Sequence, residues 1–207
     1  MDYSALMGIN DHLSGHTWLA HTLALFSAAS PIIVVALLVG AWLSVRPGSA
    51  SRLRQGVAGA VVAAGLALGT NSLISHVWAR PRPSVAHPGS VHLWFTGPSA
   101  DPSFPSDHAS AAFAVAFAIL MVSRRFGLIM ILLAGAIAIS RVAIGLHYPG
   151  DVLAGAVVGL FAALVVMRLL DRPLSVATRY ASRLTDRLVA PVWAALDRRR
   201  HVIRAVG

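Results

Sequence analysis

The sequence contains no cysteine, no lysine and no glutamate, and only 12% of its 207 residues are charged. Without cysteine, the redox compartment leaves no mark in thiol usage. All basic residues are arginine and all acidic residues aspartate, which reflects coding bias rather than mechanism. A soluble domain carries about 25% charged residues, so the shortage of charge excludes an ordinary water-exposed globule. The first 21 residues hold Asp2 and Asp11 but no basic residue. The positive n-region of a cleavable signal peptide is therefore missing.

Apolar sequence fills the space that charge leaves. Hydrophobic residues make up 57% of the chain and the mean hydropathy is +0.71. A membrane span needs roughly 20 consecutive apolar residues. Five stretches qualify or nearly so: Thr22–Val45, Gly56–Trp78, Ser106–Ser123, Phe126–Leu146 and Val152–Leu170. Residues 3–16 are too polar and too short to span, and predict a half-buried or interfacial helix. The fold class expected is all-α: a polytopic membrane bundle of about five transmembrane helices plus an N-terminal interfacial helix. Residues 1–171 would form the membrane domain. Residues 172–207 would form a basic cytoplasmic tail, with Arg179, Arg183 and Arg187 beside an apolar stripe at the same spacing, as in an amphipathic helix on the inner leaflet. Gly65/Gly69 and Gly155/Gly159 have the spacing of close helix packing in lipid.

The net charge of +9 could suggest a nucleic-acid partner, but its distribution points to a membrane instead. Arg46, Arg52, Arg54, Arg124, Arg125 and the arginines from Arg168 onward all fall on one side of the predicted spans. Only Arg80, Arg82 and Arg141 fall on the other. Positive residues stay cytoplasmic. The expectation is an outside N-terminus, an inside C-terminus and an outward segment Ala79–Pro105. That segment is long enough to be functional. It holds His87 and His92, together with Trp94, Phe95 and Phe104 as candidate interface residues, and could form a lid or a solvated loop.

Three polar clusters meet on the outward side. They are Ala79-Arg80-Pro81-Arg82-Pro83, then Pro105-Ser106-Asp107-His108, then Ser140-Arg141 through His147 to Asp151. Ionisable residues at membrane depth are functional candidates by default. Arg82 and Arg141 carry forked donors that match a phosphate. The helix start at Ser106 adds free N–H groups and the positive end of a dipole. The hydroxyls of Ser106 and Ser140 add donors. His147 and His108 can divide the work between nucleophile and proton donor, and Asp151 can hydrogen-bond His147 to orient its ring. Pro149 and Gly150 would end the fourth span. These three clusters lack a His-x-x-x-His pair and a carboxylate group suited to a metal, so no metal or other cofactor is expected. His76 reads as an interfacial or packing residue, and His12, His16, His21 and His201 as interfacial or solvated.

The clusters resemble the signature of the type 2 phosphatidic acid phosphatase superfamily, which reads K-x6-R-P, P-S-G-H and S-R-x5-H-x3-D. The third motif is matched at Ser140, Arg141, His147 and Asp151. The second is matched at Pro105, Ser106 and His108, with Asp107 in place of glycine. The first is matched at Arg82 and Pro83, with Ser75 where the family has lysine. These departures are similar to the bacterial undecaprenyl-diphosphate phosphatases of the bacitracin-resistance type.

The resemblance implies metal-independent removal of the terminal phosphate of a C55 prenyl diphosphate at the outer face of the cell membrane, regenerating the carrier for peptidoglycan. His147 would be the nucleophile, Asp151 its orienting partner and His108 the proton donor. Arg82, Arg141, Ser106, Ser140 and the backbone of Asp107 and His108 would hold the phosphoryl oxygens, with Arg80 as a further candidate. The partner implied is a lipid substrate in the bilayer; the oligomeric state is not readable. A phosphatase for phosphatidate, phosphatidylglycerophosphate or another lipid phosphate stays open. So does a non-catalytic lipid-phosphate-binding or transport protein.

Overall fold

The computed structural model describes residues 2–49, 51–94 and 101–206, and every ordered element among them is a helix. In chain order these are α1 (Asp2–Ser14), α2 (Thr17–Leu43), α3 (Arg52–Val77), α4 (Pro83–Ala86), α5 (Asp107–Leu120), α6 (Arg124–Ala143), α7 (Pro149–Leu169) and α8 (Asp171–Val206). The helices α2, α3, α6 and α7 are long and apolar enough to cross a membrane.

The third expected span is shorter than the sequence predicts, ending at Leu120 rather than Ser123. Fourteen residues rise about 21 Å, less than the roughly 30 Å of a hydrocarbon core. The reason is its place: α5 runs through the centre, packed against α3, α6 and α7. Its alanines at 109, 112, 114, 116 and 118 are all buried. Protein rather than lipid surrounds it, so its length need not match the bilayer.

Only one of the two glycine pairs packs as its spacing predicts. A Cβ at Gly155 would lie 2.9 Å from the Ser106 carbonyl oxygen, and one at Gly159 would lie 2.6 Å from that of Ser110. These glycines let α7 press on the first turns of α5. A Cβ at Gly65 or Gly69 would meet nothing within 4 Å; both face outward from the bundle.

The helix α2 contains Pro31, which has no N–H to give the Ser27 carbonyl one turn back. The Ser30 hydroxyl fills the gap, donating to that oxygen at 2.8 Å. The N-terminal helix α1 is tied to the bundle by buried Asn10, which donates to the carbonyls of His92 and Ala143 and accepts the His92 N–H. Trp94 follows and packs on α2 through Leu23 and His21, so it is not a lipid-facing anchor. Phe95 lies outside the described residues. His87 stacks on Tyr3 at 3.8 Å, and His76 bonds its own helix at Ser72.

Candidate active site

The three polar clusters converge at one end of the bundle, where α3 ends and α5 and α7 begin. Arg141 lies in the last turn of α6. Past Ala143 the chain turns through Gly145, whose φ of +80° belongs to the left-handed region that glycine tolerates. A side chain there would also strike Val91 and the His92 oxygen. The turn delivers His147 into the interior. Pro149 then opens α7 rather than closing α6, because proline at a first helical position lacks only an N–H that has no partner anyway. Asp151 is the third residue of α7 and fully buried.

His147 is held in a way the sequence does not predict. Its Nδ1 lies 2.8 Å from the backbone oxygen of Ser103, whereas the Asp151 carboxylate is 3.7 Å away. A carbonyl only accepts, so Nδ1 carries the proton and Nε2 keeps its lone pair. Asp151 reaches the pair through Ser103, whose hydroxyl donates to Oδ2 at 2.5 Å. The Tyr148 N–H donates to the same oxygen at 2.9 Å. His147 lies between α6 and α7, and burial pushes its imidazole below the ordinary value. The Asp151 carboxylate opposes that shift, and the charges of Arg141 and Arg82 reinforce it.

Arg80 is paired with two carboxylates. Its guanidinium donates at 2.8 Å to Asp151 Oδ1 and at 2.8 Å to Asp2 Oδ2, and lies 3.9 Å from the Tyr148 ring centroid. Burial works against its charge, but the two carboxylates hold its pKa above the ordinary value. Asp2 also accepts the Gly150 N–H at 2.9 Å. Ser140 is likewise engaged: its buried hydroxyl donates to Ile137 in its own helix at 2.7 Å and has no proton left for an anion.

The donors not committed to a carboxylate or to their own helix are different ones. Ser106 caps α5, is fully buried, and has a hydroxyl without a partner among the described residues. The backbone N–H of Ser106 ties it to α7 through the Asp151 carbonyl at 3.1 Å. Arg141 is 9% exposed and donates to Ser27 at 3.0 Å, but its Nε has no partner among the described residues. Arg82 donates to the carbonyls of Asp101 and Leu146. Half-buried His108, in the first turn of α5, lies within electrostatic range of Arg141, His147 and Arg82. Asp107 is exposed and accepts from Asn71 of α3 at 2.8 Å. Ser75, where the motif has lysine, bonds back to Ser72. Cationic and hydroxyl donors thus surround the two histidines, which suits an anion with several oxygens.

An apolar cleft of about 340 Å³ leads away from this site. Its head is Asp107 and His108, and its walls include Pro31 and Val34 of α2 and Val61 and Leu68 of α3. Sequence reasoning missed Ser103, Asp2, Asn71 and Ser27. Asn71 and Ser27 carry a usable signal, a polar residue inside an apolar span. Ser103 and Asp2 carry none.

Residues 56–174 match the sequence pattern of the PAP2 superfamily. The chain is 34% identical over 172 residues to the undecaprenyl-diphosphatase BcrC of Bacillus subtilis, covering 83% of this chain and 85% of that one. Its fold matches the crystal structure of Aquifex aeolicus LpxE with a TM-score of 0.66 and 22% identity, over 81% of this chain and 94% of the other. It also matches a transmembrane PAP2-type phosphatidylglycerolphosphate phosphatase from Bacillus subtilis, with a TM-score of 0.58 and 19% identity over 82% and 86%. With its helical bundle and its two motif histidines at one end of the central helix, the chain belongs to the PAP2 superfamily and is a multi-pass membrane lipid phosphatase.

Proposed function

We propose that the protein is an undecaprenyl-diphosphate phosphatase acting at the outer face of a bacterial cell membrane, without a metal, through a phosphohistidine. The observation that carries the mechanism is the state of His147, with Nδ1–H committed to Ser103 and Nε2 free. In this reading Nε2 attacks the terminal phosphorus while the bond to the bridging oxygen breaks. His108 gives its proton to that oxygen as undecaprenyl phosphate leaves. The same imidazole then takes a proton from water, which attacks the phosphohistidine, releases inorganic phosphate and restores His147.

Arg141, Ser106, Arg82 and the first N–H groups of α5 would hold the phosphoryl oxygens, where charge develops. Buried donors without partners cost about 1–3 kcal/mol each, and a phosphoryl group between Ser106 and Arg141 removes that cost. Asp151 positions the nucleophile through Ser103 and by its charge. The cleft headed by His108 would take the first units of a prenyl tail, which leaves the head group at the bundle end and the chain in the bilayer. Similarity to BcrC supports the prenyl diphosphate as substrate. The arginine distribution supports the outward placement of the site. A periplasm-active reporter fused after Gly207 is expected to be silent, and activity there would reverse the orientation.

The test is phosphate release by the detergent-solubilised protein with a chelator present. Undecaprenyl diphosphate is compared with phosphatidate and phosphatidylglycerophosphate, with His147→Ala as the blank. The expected result is a strong preference for the prenyl diphosphate, abolished in the variant. Preference for a glycerolipid phosphate would move the substrate assignment and keep the chemistry. Release persisting in His147→Ala would remove the nucleophile.

A further inference from the structure

A second polar cavity, of about 590 Å³, lies at the opposite end of the bundle. It opens to solvent between the α2–α3 connection, the start of α3 and the first turns of α8, and its lining includes Arg52, Gln55, Thr178, Arg179, Arg183 and Asp186. Gln55 here and Asn71 beside Asp107 are separated along α3 by roughly 24 Å of helix, so the cavity is no part of the phosphatase centre.

Its chemistry is that of an anion site. Arg52, Arg179 and Arg183 form no ion pair among the described residues. Arg183 lies over the Tyr180 ring, 5.7 Å from its centroid. The α3 N-terminus, capped by Ser51 through a 3.1 Å bond to Leu53 N–H, adds a positive dipole end. The carboxylate among the lining residues is already neutralised: Asp186 accepts the Gly48 N–H at 2.8 Å and faces buried Arg54 at 2.7 Å.

Thr178 is an independent sign of a missing ligand. Three threonines in helix interiors return their hydroxyls to their own helix: Thr22 to Trp18, Thr70 to Leu66, Thr185 to Ala181. Thr178 lines the cavity and is only 7% exposed, yet its hydroxyl has no partner among the described residues. A buried hydroxyl left so is destabilising, and a rotation of the side chain toward the cavity would give it an acceptor there.

We propose that this cavity is a second anion site that binds a phosphate group, carried by an anionic phospholipid or free in solution. Thr178 and the three arginines donate to it, with the α3 dipole behind them. Beside the arginine ridge, Val176, Tyr180, Leu184 and Leu188 form an exposed apolar stripe at the same spacing, which would place a lipid headgroup at the cavity mouth. The site depends on neither His147 nor His108.

Hydrogen exchange of the full chain over residues 175–187 tests this, because it reads the site locally. The detergent-solubilised protein is measured with inorganic phosphate against sodium chloride of equal ionic strength. In a second arm, nanodiscs containing phosphatidylglycerol are compared with pure phosphatidylcholine. Ligand at about ten times its Kd should slow exchange there ~tenfold. Slowing by phosphate in solution identifies a free-phosphate site. Slowing only in the anionic nanodiscs identifies a lipid headgroup. Either effect should be lost in Arg179→Gln/Arg183→Gln and weakened in the near-isosteric Thr178→Val, with unchanged exchange in α5 reporting that the variants fold. No slowing in either arm, or equal slowing in the variants, overturns the proposal.

Discussion

His147 Nδ1 donates to the backbone oxygen of Ser103 at 2.8 Å, and the nearest oxygen of Asp151 stands 3.7 Å off. Where an aspartate alone fixes a histidine tautomer, replacing it by asparagine reverses the tautomer and costs about 10⁴ in kcat. Here the carbonyl fixes the tautomer whatever occupies position 151. Asp151→Asn should therefore lower kcat by only about 10²-fold, from loss of the charge that stabilises a developing imidazolium. Ser103→Ala keeps the carbonyl and loses one hydrogen bond, roughly 1 kcal/mol or five- to tenfold. Steady-state kinetics on both variants decides this, and a 10⁴-fold loss in Asp151→Asn would mean that the carboxylate, not the carbonyl, holds the ring.

Arg80 and Arg141 are predicted to fail differently. Arg80 bridges Asp2 and Asp151 and is predicted to act on the substrate only through them. Arg80→Gln should reduce kcat about tenfold and leave KM near its normal value, and Asp2→Asn should follow it more weakly. Arg141, with an open buried Nε, is assigned to the phosphoryl oxygens. Arg141→Gln should cost 10²–10³-fold in kcat/KM. Equal rises in KM for both arginine variants would return Arg80 to the phosphate.

The difference between these arginines marks where the sequence stops being legible. Motif spacing finds Arg80, Arg82, Arg141, His108, His147 and Asp151, because each is an ionisable residue near apolar sequence. It cannot say which donors are already taken. Arg80 is taken by Asp2, nearly eighty residues away, and Ser140 by its own helix. The group that fixes the His147 ring is a backbone oxygen, which any residue at position 103 would supply. The spans are legible because lipid enforces length, and α5 escaped that rule once protein surrounded it.

The glycine pairs make the same point and can be tested by stability. Gly155/Gly159 and Gly65/Gly69 share one spacing, but only the first pair faces a helix. In Gly159→Ala the new Cβ would press on the Ser110 carbonyl and the Ala114 N–H, at 2.6 and 2.7 Å, both rigid backbone. Parting α7 from α5 should cost about 1–3 kcal/mol and also activity, since the same contact seats Asp151 against Ser106. Gly65→Ala should be neutral or stabilising by up to about 1 kcal/mol. Thermal unfolding in detergent separates the two, and equal shifts would contradict the packing described.

The pH dependence follows from His147. As the proposed nucleophile its imidazole must be neutral, and burial places its pKa below the ordinary value of about 6.5. The neutral form therefore persists as pH falls, and kcat/KM, which reports the free enzyme, should decline only below that value. Asp151 works against the depression, so Asp151→Asn should move the acid limb to lower pH. Arg82 adds to the depression, so Arg82→Gln should move it back toward neutrality. A phosphate monoester also titrates near pH 6, and the substrate's terminal phosphate could by itself produce a limb in that region. The variants distinguish the two sources, because neither substitution touches the substrate's own ionisation. Opposite shifts in the two variants assign the limb to His147; a limb that moves in neither belongs to the substrate and removes the imidazole from the acid side of the profile.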